Sequence, residues 1–103
     1  MVYKKAIRDK IPEIIKNSGY SYNIEKLSDE DFLKEMEKKL DEELAEYKEN
    51  RSIEELADLV EVILRISELR GISNTDFEII RQNKVKKRGL FKENFLLIDT
   101  SKD

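Results

Sequence analysis

Apolar residues recur at helical spacing through most of the chain, and short polar breaks divide this pattern into four segments. The breaks carry serine, glycine and proline, which favour the ends of helices. The pattern therefore predicts a short helix between Asp9 and Gly19, and longer helices over residues 29–49, 53–70 and 74–88. The predicted N-terminal caps are Asp9, Ser28, Ser52 and Ser73.

Two segments outside these helices have the pattern of β-strands. Residues 20–27 alternate apolar and polar positions, and residues 95–98 read Phe-Leu-Leu-Ile. Each is the only partner available to the other, and an isolated two-stranded ribbon is marginal unless it packs on helices. We therefore predict an all-α fold for a single domain of residues 1–103: a bundle of about four helices with a small two-stranded β-ribbon.

The second and third predicted helices form an antiparallel hairpin about the polar residues 48–52, and each carries an acidic pair. Glu43 and Glu46 precede the turn by the same distances at which Asp58 and Glu55 follow it. Glu43 also lies within the apolar stripe of its helix. Four converging carboxylates repel one another and raise each other's pKa unless a cation intervenes. A hard divalent cation bound by oxygen ligands would satisfy all four.

Two other interpretations of these acids remain open. Ser52 and Glu55 have the spacing of a capping box, which by itself accounts for Glu55. The chain also contains 23 aspartates and glutamates, so a solvated acidic face is common. Neither interpretation explains the inward position of Glu43.

Composition removes several classes of chemistry. The chain has no cysteine and no histidine, which excludes disulfides, thiolate nucleophiles, imidazole bases and ordinary zinc sites. With 42% charged residues the net charge is only −3, so the total charge favours neither a nucleic acid nor a membrane surface. Without an apolar run that could span a bilayer or a signal-peptide core, we expect a cytoplasmic protein with no membrane partner. The third helix is apolar over more than half its circumference, which predicts burial against a second subunit.

Residues 81–92, here called the basic cluster, contain six cations and no acid. The helix dipole accounts for one or two cations near a helix C-terminus, whereas six favour a phosphate-rich ligand. Lys84 and Arg88 are four residues apart and share a helical face. Nucleic acid would also fit, but Phe91 and Phe95 are too few for a stacking platform. The six cations are Arg81, Lys84, Lys86, Lys87, Arg88 and Lys92.

Four segments together resemble one protein family. They are RDKIPEII at residues 8–15, EELAE at residues 42–46, EELAD at residues 54–58 and KVKKRGLF at residues 84–91. Their residue types and their order in the chain are similar to the motifs of one branch of the MazG-type all-α nucleotide pyrophosphohydrolases, the compact phosphoribosyl-ATP pyrophosphohydrolase-like branch. One departure is the connection of eight residues between Glu46 and Glu55, which is shorter than in the MazG proteins proper.

The resemblance implies a Mg²⁺-dependent enzyme, with Mn²⁺ as the alternative ion, that cleaves a nucleoside triphosphate to its monophosphate and pyrophosphate. It makes Glu43, Glu46, Glu55 and Asp58 the metal ligands, with Glu43 or Glu46 as the catalytic base. It makes Lys84 and Arg88, together with Arg8 and Lys10 of the opening motif, contacts to phosphate. It also implies a homodimer or larger homo-oligomer.

The alternatives to this function are a phosphoribosyl-ATP pyrophosphohydrolase, a non-catalytic helical dimerisation or adaptor module, and a nucleic-acid-binding protein that uses the basic cluster. The nucleic-acid-binding function is the least favoured of these alternatives. The sequence specifies neither the base and sugar of the nucleotide nor the number of metal ions.

Overall fold

The computed structural model describes residues 3–102, which contain four α-helices. Their bounds are α1 Ile11–Asn17, α2 Asp29–Asn50, α3 Ile53–Leu69 and α4 Asn74–Arg88. The predicted all-α class is confirmed, and the three longer helices lie within two residues of their predicted bounds. Met1, Val2 and Asp103 belong to the predicted single domain but lie outside the described residues.

The three longer helices begin at the predicted serine caps. Each serine Oγ accepts a hydrogen bond from the backbone N–H three residues later, at 3.2 Å for Ser28, 3.3 Å for Ser52 and 3.1 Å for Ser73. These bonds satisfy N–H groups that have no partner within the helix. Local sequence therefore fixes where each long helix starts.

The predicted cap of the first helix, Asp9, is wrong. The N-cap of α1 is Lys10, and it makes no side-chain capping bond. The chain turns at residues 9–10, and the Ile11 N–H donates to the carbonyl of Arg8 at 3.1 Å. Because the backbone already supplies an acceptor there, the Asp9 carboxylate is not needed. Pro12 lies in the first turn, where its missing N–H costs no hydrogen bond.

The α2–α3 hairpin is tighter than predicted. The sequence predicts a turn within the polar residues 48–52, but α2 continues to Asn50 and only Arg51 and Ser52 connect the two helices. Arg51 adopts a left-handed backbone with φ of 58°, and its N–H donates to the Tyr47 carbonyl at 2.7 Å. This left-handed residue ends α2 and reverses the chain within two residues.

The predicted β-ribbon is wrong: no strand occurs in the range 3–102. Both segments remain exposed, with Tyr20 at 74% and Ile24 at 60% of their full accessible area, and Phe95 at 90% and Ile98 at 79%. Without a helical surface beneath them, these short segments gain too little from burial to offset the cost of ordering a ladder.

The helices enclose a very small core. α3 packs against α2 and α4, whereas no close backbone approach joins α1 to another helix, or α4 to α2, in the part of the chain described. Met36 and Val62 are the buried apolar residues there. The accessible area is 9811 Å², against roughly 6,000 Å² for a compact monomer of this mass. The radius of gyration is 18.4 Å, against about 13 Å for a compact domain of this length.

None of the four helices is both long and apolar enough to cross a membrane.

Candidate metal centre

Four acidic side chains converge where α2 and α3 face each other near the hairpin turn. Carboxylate oxygens of Glu43, Glu55 and Asp58 lie within 4.8 Å of one another, and so do those of Glu43, Glu46 and Glu42. Glu43 belongs to both groups. The four predicted ligands Glu43, Glu46, Glu55 and Asp58, here called the acidic quartet, thus fall into two groups that share Glu43.

Glu43 is the most enclosed member of the quartet, with 6% of its area exposed. It lies on the side of α2 that packs against α3, as its place in the apolar stripe predicted. Its Oε2 is buried and has no hydrogen-bond partner, and the same holds for Oε2 of Glu55. Buried carboxylate oxygens normally have a partner, so these two atoms are candidate ligands for a cation.

The capping interpretation explains the backbone N–H of Glu55 but not the position of its carboxylate. Its backbone N–H does donate to Ser52 Oγ at 3.3 Å, as in a helix cap. A capping box would also require the Glu55 carboxylate to accept from the backbone N–H of Ser52. That reciprocal bond is absent from residues 3–102, and the Glu55 carboxylate is turned into the quartet.

Burial raises the pKa of Glu43 above its ordinary 4.5, and the neighbouring Glu46 and Asp58 carboxylates raise it further, while Lys39 lowers it in part. Burial also raises the pKa of Glu55, and the Glu46 carboxylate raises it further, followed by those of Asp58 and Glu43. Carboxylates of both helices therefore contribute to the raised pKa of Glu43 and to that of Glu55. A cation bound among these oxygens would remove the repulsion and favour the ionised forms.

Two cations already contact the quartet. An Arg8 Nη atom lies 2.6 Å from Asp58 Oδ1. Arg8 precedes α1, so the N-terminal segment, residues 3–8, reaches the hairpin through this ion pair. Lys39 Nζ lies 3.4 Å from Glu43 Oε1 and 3.6 Å from Glu42 Oε1. Arg8, which was predicted to contact phosphate, therefore lies at the quartet, where it contacts the carboxylate of Asp58.

The remaining predicted phosphate contacts are not brought to the quartet. Lys10 is exposed at the start of α1, and Lys84 and Arg88 are exposed on α4, which packs against α3 and not α2. None of the three forms an ion pair within residues 3–102.

The basic cluster is also partly neutralised. Arg81 binds Glu78 through two hydrogen bonds of 2.6 and 2.9 Å. These bonds, with one from the Gln82 amide, lower the pKa of Glu78 to about 2. This pair stabilises the surface of α4 and leaves five of the six cations for other partners.

The sequence pattern missed two residues at this site. Glu42 is not among the predicted ligands, but it is half-buried and its carboxylate joins Glu43 and Glu46. Lys39, with 18% of its side chain exposed, bridges Glu42 and Glu43. The spacing of four residues between Lys39 and Glu43 was the available signal, since such pairs meet on a helix.

The donor set fits a hard divalent cation. All candidate ligand atoms are carboxylate oxygens, which Mg²⁺ and Mn²⁺ prefer, and neither nitrogen nor sulfur donors are present in the group. The unpaired Oε2 atoms of Glu43 and Glu55 would be the first to gain from such an ion.

No protein-family model matches this chain, and neither does any curated protein or solved structure with which it was compared. The four motifs and the geometry of the acidic quartet are thus the basis for assigning a function.

Proposed function

We propose that this protein is a Mg²⁺-dependent nucleotide pyrophosphohydrolase that cleaves a nucleoside triphosphate between its α- and β-phosphates. The observation that carries the proposal is the pair of buried, unpaired carboxylate oxygens on Glu43 and Glu55, at the centre of four converging acids. Such an arrangement is costly for a fold that has no use for a cation. The motif resemblance supplies the reaction class, and the chemistry of the site agrees with it.

In this proposal Glu43, Glu46, Glu55 and Asp58 hold the ion. Bound Mg²⁺ supplies Lewis-acid polarisation of the phosphate and of the attacking water. Glu46 or Glu43 takes the proton that the water loses. Water adds to the α-phosphorus, the α–β anhydride bond breaks, and pyrophosphate leaves with its electron pair. Arg8 is near enough to the quartet to meet the phosphate charge.

The direct test is pyrophosphate release from a panel of nucleoside triphosphates, deoxynucleotides and phosphoribosyl-ATP, with Mg²⁺ and with EDTA. We expect release that needs the metal, and Glu43→Gln should lower it by about a thousandfold or more, the scale for losing a group that acts on the transition state. Helical circular dichroism should be unchanged in that variant. Glu37→Gln, an exposed change on the same helix, is the matched control.

Normal turnover by the Glu43→Gln variant would refute the site, and no release from any substrate would refute the enzyme. The second outcome would favour the adaptor alternative, which is supported by the exposed apolar residues of α3, with Val60 at 51% exposure. The same alternative predicts that divalent ions leave the thermal stability of the protein unchanged.

The homo-oligomer and the cytoplasmic location expected from the sequence belong to this proposal as well. The small core and the large accessible area support a second subunit. The panel would also decide between a general nucleotide substrate and phosphoribosyl-ATP.

A further inference from the structure

A cleft of about 290 Å³ separates the N-terminal segment from α2. Four lysines line it: Lys4 and Lys5 on the segment, and Lys38 and Lys39 on the helix. Since a single water needs only about 10 to 15 Å³ of cavity volume, the cleft has room for a pyrophosphate ion. Neither the composition nor the motifs indicated that these lysines share a site.

The surplus positive charge of this lysine cleft lies on the N-terminal segment. Lys38 is paired with Glu35 at 3.1 Å, and Lys39 is paired with glutamates of its own helix. Lys4 and Lys5 have no carboxylate partner among the described residues. With Glu35 and Glu42 as its acidic lining residues, the cleft has four positive and two negative side chains.

The geometry of Lys4 and Lys5 is also unusual for a plain surface segment. Lys4 has a positive φ of 49°, which residues other than glycine rarely adopt. Lys5 Nζ lies 5.6 Å from the centre of the Tyr3 ring, a cation–π distance. The ammonium of Lys5 thus lies near an aromatic ring, and its charge has no carboxylate partner among residues 3–102.

The lysine cleft lies next to the acidic quartet. Glu42 lines the cleft and also groups with Glu43 and Glu46. Lys39 contacts both Glu42 and Glu43. A polyphosphate whose one end lies at the quartet would therefore extend its next phosphates past Lys39 toward Lys4 and Lys5.

We propose that the lysine cleft binds the pyrophosphate portion of a polyphosphate substrate, with Lys4 and Lys5 as its principal contacts. The inference rests on the proposed function for the identity of the ligand. It transfers the role of holding the leaving group from Lys84 and Arg88 on α4 to lysines that the fold places beside the quartet.

The test is calorimetric binding of inorganic pyrophosphate to the full chain, in buffer with and without Mn²⁺. Mn²⁺ affinity is measured separately by electron paramagnetic resonance. The double variant Lys4→Ala/Lys5→Ala is compared with Lys86→Ala/Lys87→Ala, which removes the same charge from exposed positions of α4. We expect the first variant to bind pyrophosphate about tenfold or more weakly, the scale for losing charge-assisted phosphate contacts. The second should bind it like the wild type, and Mn²⁺ affinity should be equal in all three.

An equal loss in both double variants, or in neither, would overturn the cleft while leaving the metal centre intact. So would a wild-type protein that does not bind pyrophosphate. If Mn²⁺ fails to bind but pyrophosphate affinity still falls only in Lys4→Ala/Lys5→Ala, the cleft stands and the metal-dependent function fails. Inorganic phosphate is the last probe: binding as tight as that of pyrophosphate would overturn the assignment to two linked phosphates.

Discussion

At the scale of one residue, Glu43 shows how a break in a local pattern can indicate a functional site. The stripe of α2 calls for an apolar side chain there, and the sequence supplies a carboxylate. The structure buries that carboxylate to 6% exposure and leaves one of its oxygens unpaired. A residue that breaks the pattern of its own helix is expected at a functional site.

The first prediction concerns the pH dependence of stability without metal. The folded-state pKa of Glu43 is raised above 4.5, mainly by burial, so its stabilising contribution is fully present below about 4.5. That contribution is lost as the pH rises through the raised value. We therefore expect the free energy of unfolding of the metal-free protein to fall between acidic and neutral pH as Glu43 ionises. Glu43→Gln removes the buried negative charge and its repulsion with Glu46 and Asp58, so it should raise the free energy of unfolding at neutral pH by about 1 to 3 kcal/mol.

Urea denaturation across the acidic to neutral range, with EDTA present, measures this effect. Glu37→Gln removes the same charge from an exposed position of α2 and serves as the control. Equal pH profiles for the two variants would contradict the burial argument.

At the scale of elements, one ion pair joins the N-terminal segment to the hairpin. Arg8 contacts Asp58, and α1 itself has no close backbone approach to another helix in residues 3–102. The hairpin, in contrast, is fixed by the Ser52 cap and the left-handed Arg51. The quartet thus has a rigid frame, and the segment beside it is held by few contacts.

The second prediction is that Arg8 and a divalent cation compete for Asp58. A guanidinium and a divalent ion a few ångströms apart repel by on the order of 1 kcal/mol in water, which corresponds to about a fivefold change in affinity. Arg8→Ala should therefore bind Mn²⁺ about fivefold more tightly than the wild type, in the absence of nucleotide. Lys16→Ala, which removes an exposed charge from α1, should bind it as the wild type does.

Electron paramagnetic resonance titration measures this directly. Weaker Mn²⁺ binding by Arg8→Ala would mean that the arginine supports the ion and does not compete with it.

At the scale of the molecule, the accessible area is too large for a single compact subunit. The 9811 Å² of the chain exceed the roughly 6,000 Å² expected of a compact monomer. Obligate homodimers bury about 1,000 Å² or more on each subunit, and the excess can supply that. Exposed side chains on α3 are suited to such contact: Ile53 at 77%, Leu56 at 37%, Val60 at 51% and Ile63 at 37%.

The third prediction is a dimer that depends on this face. Light scattering after size-exclusion chromatography should give about twice the chain mass of 12.2 kDa for the wild type. Val60→Asp should shift the protein to monomer, because a buried unpaired charge costs several kcal/mol. Glu61→Gln, on the exposed side of α3, should leave the mass unchanged. A monomeric wild type at micromolar concentration would contradict the prediction.

Some of the fold was predictable because its determinants are local. The serine caps and helical spacing gave three helices nearly to their ends, and the antiparallel hairpin followed from the short polar break between two of them. The register of that hairpin then placed Glu43 beside Asp58 and Glu46 beside Glu55, since two helices joined by a tight turn have little freedom to slide. The grouping of these acids was predictable for the same reason.

The tertiary structure decided the rest. The strand pattern of residues 20–27 and 95–98 did not predict their state, because a ladder also needs a surface to bury against, and both segments remain exposed. The position of the N-terminal segment could not be read locally either, since it depends on Arg8 meeting a carboxylate fifty residues away. The contact between Arg8 and Asp58 holds the N-terminal segment, with Lys4 and Lys5, beside the quartet. The basic cluster, which is the most evident positive charge in the sequence, lies on α4, which does not pack against α2 in residues 3–102. Helical spacing sets which acids share a site, and only the path of the whole chain sets which cations join them.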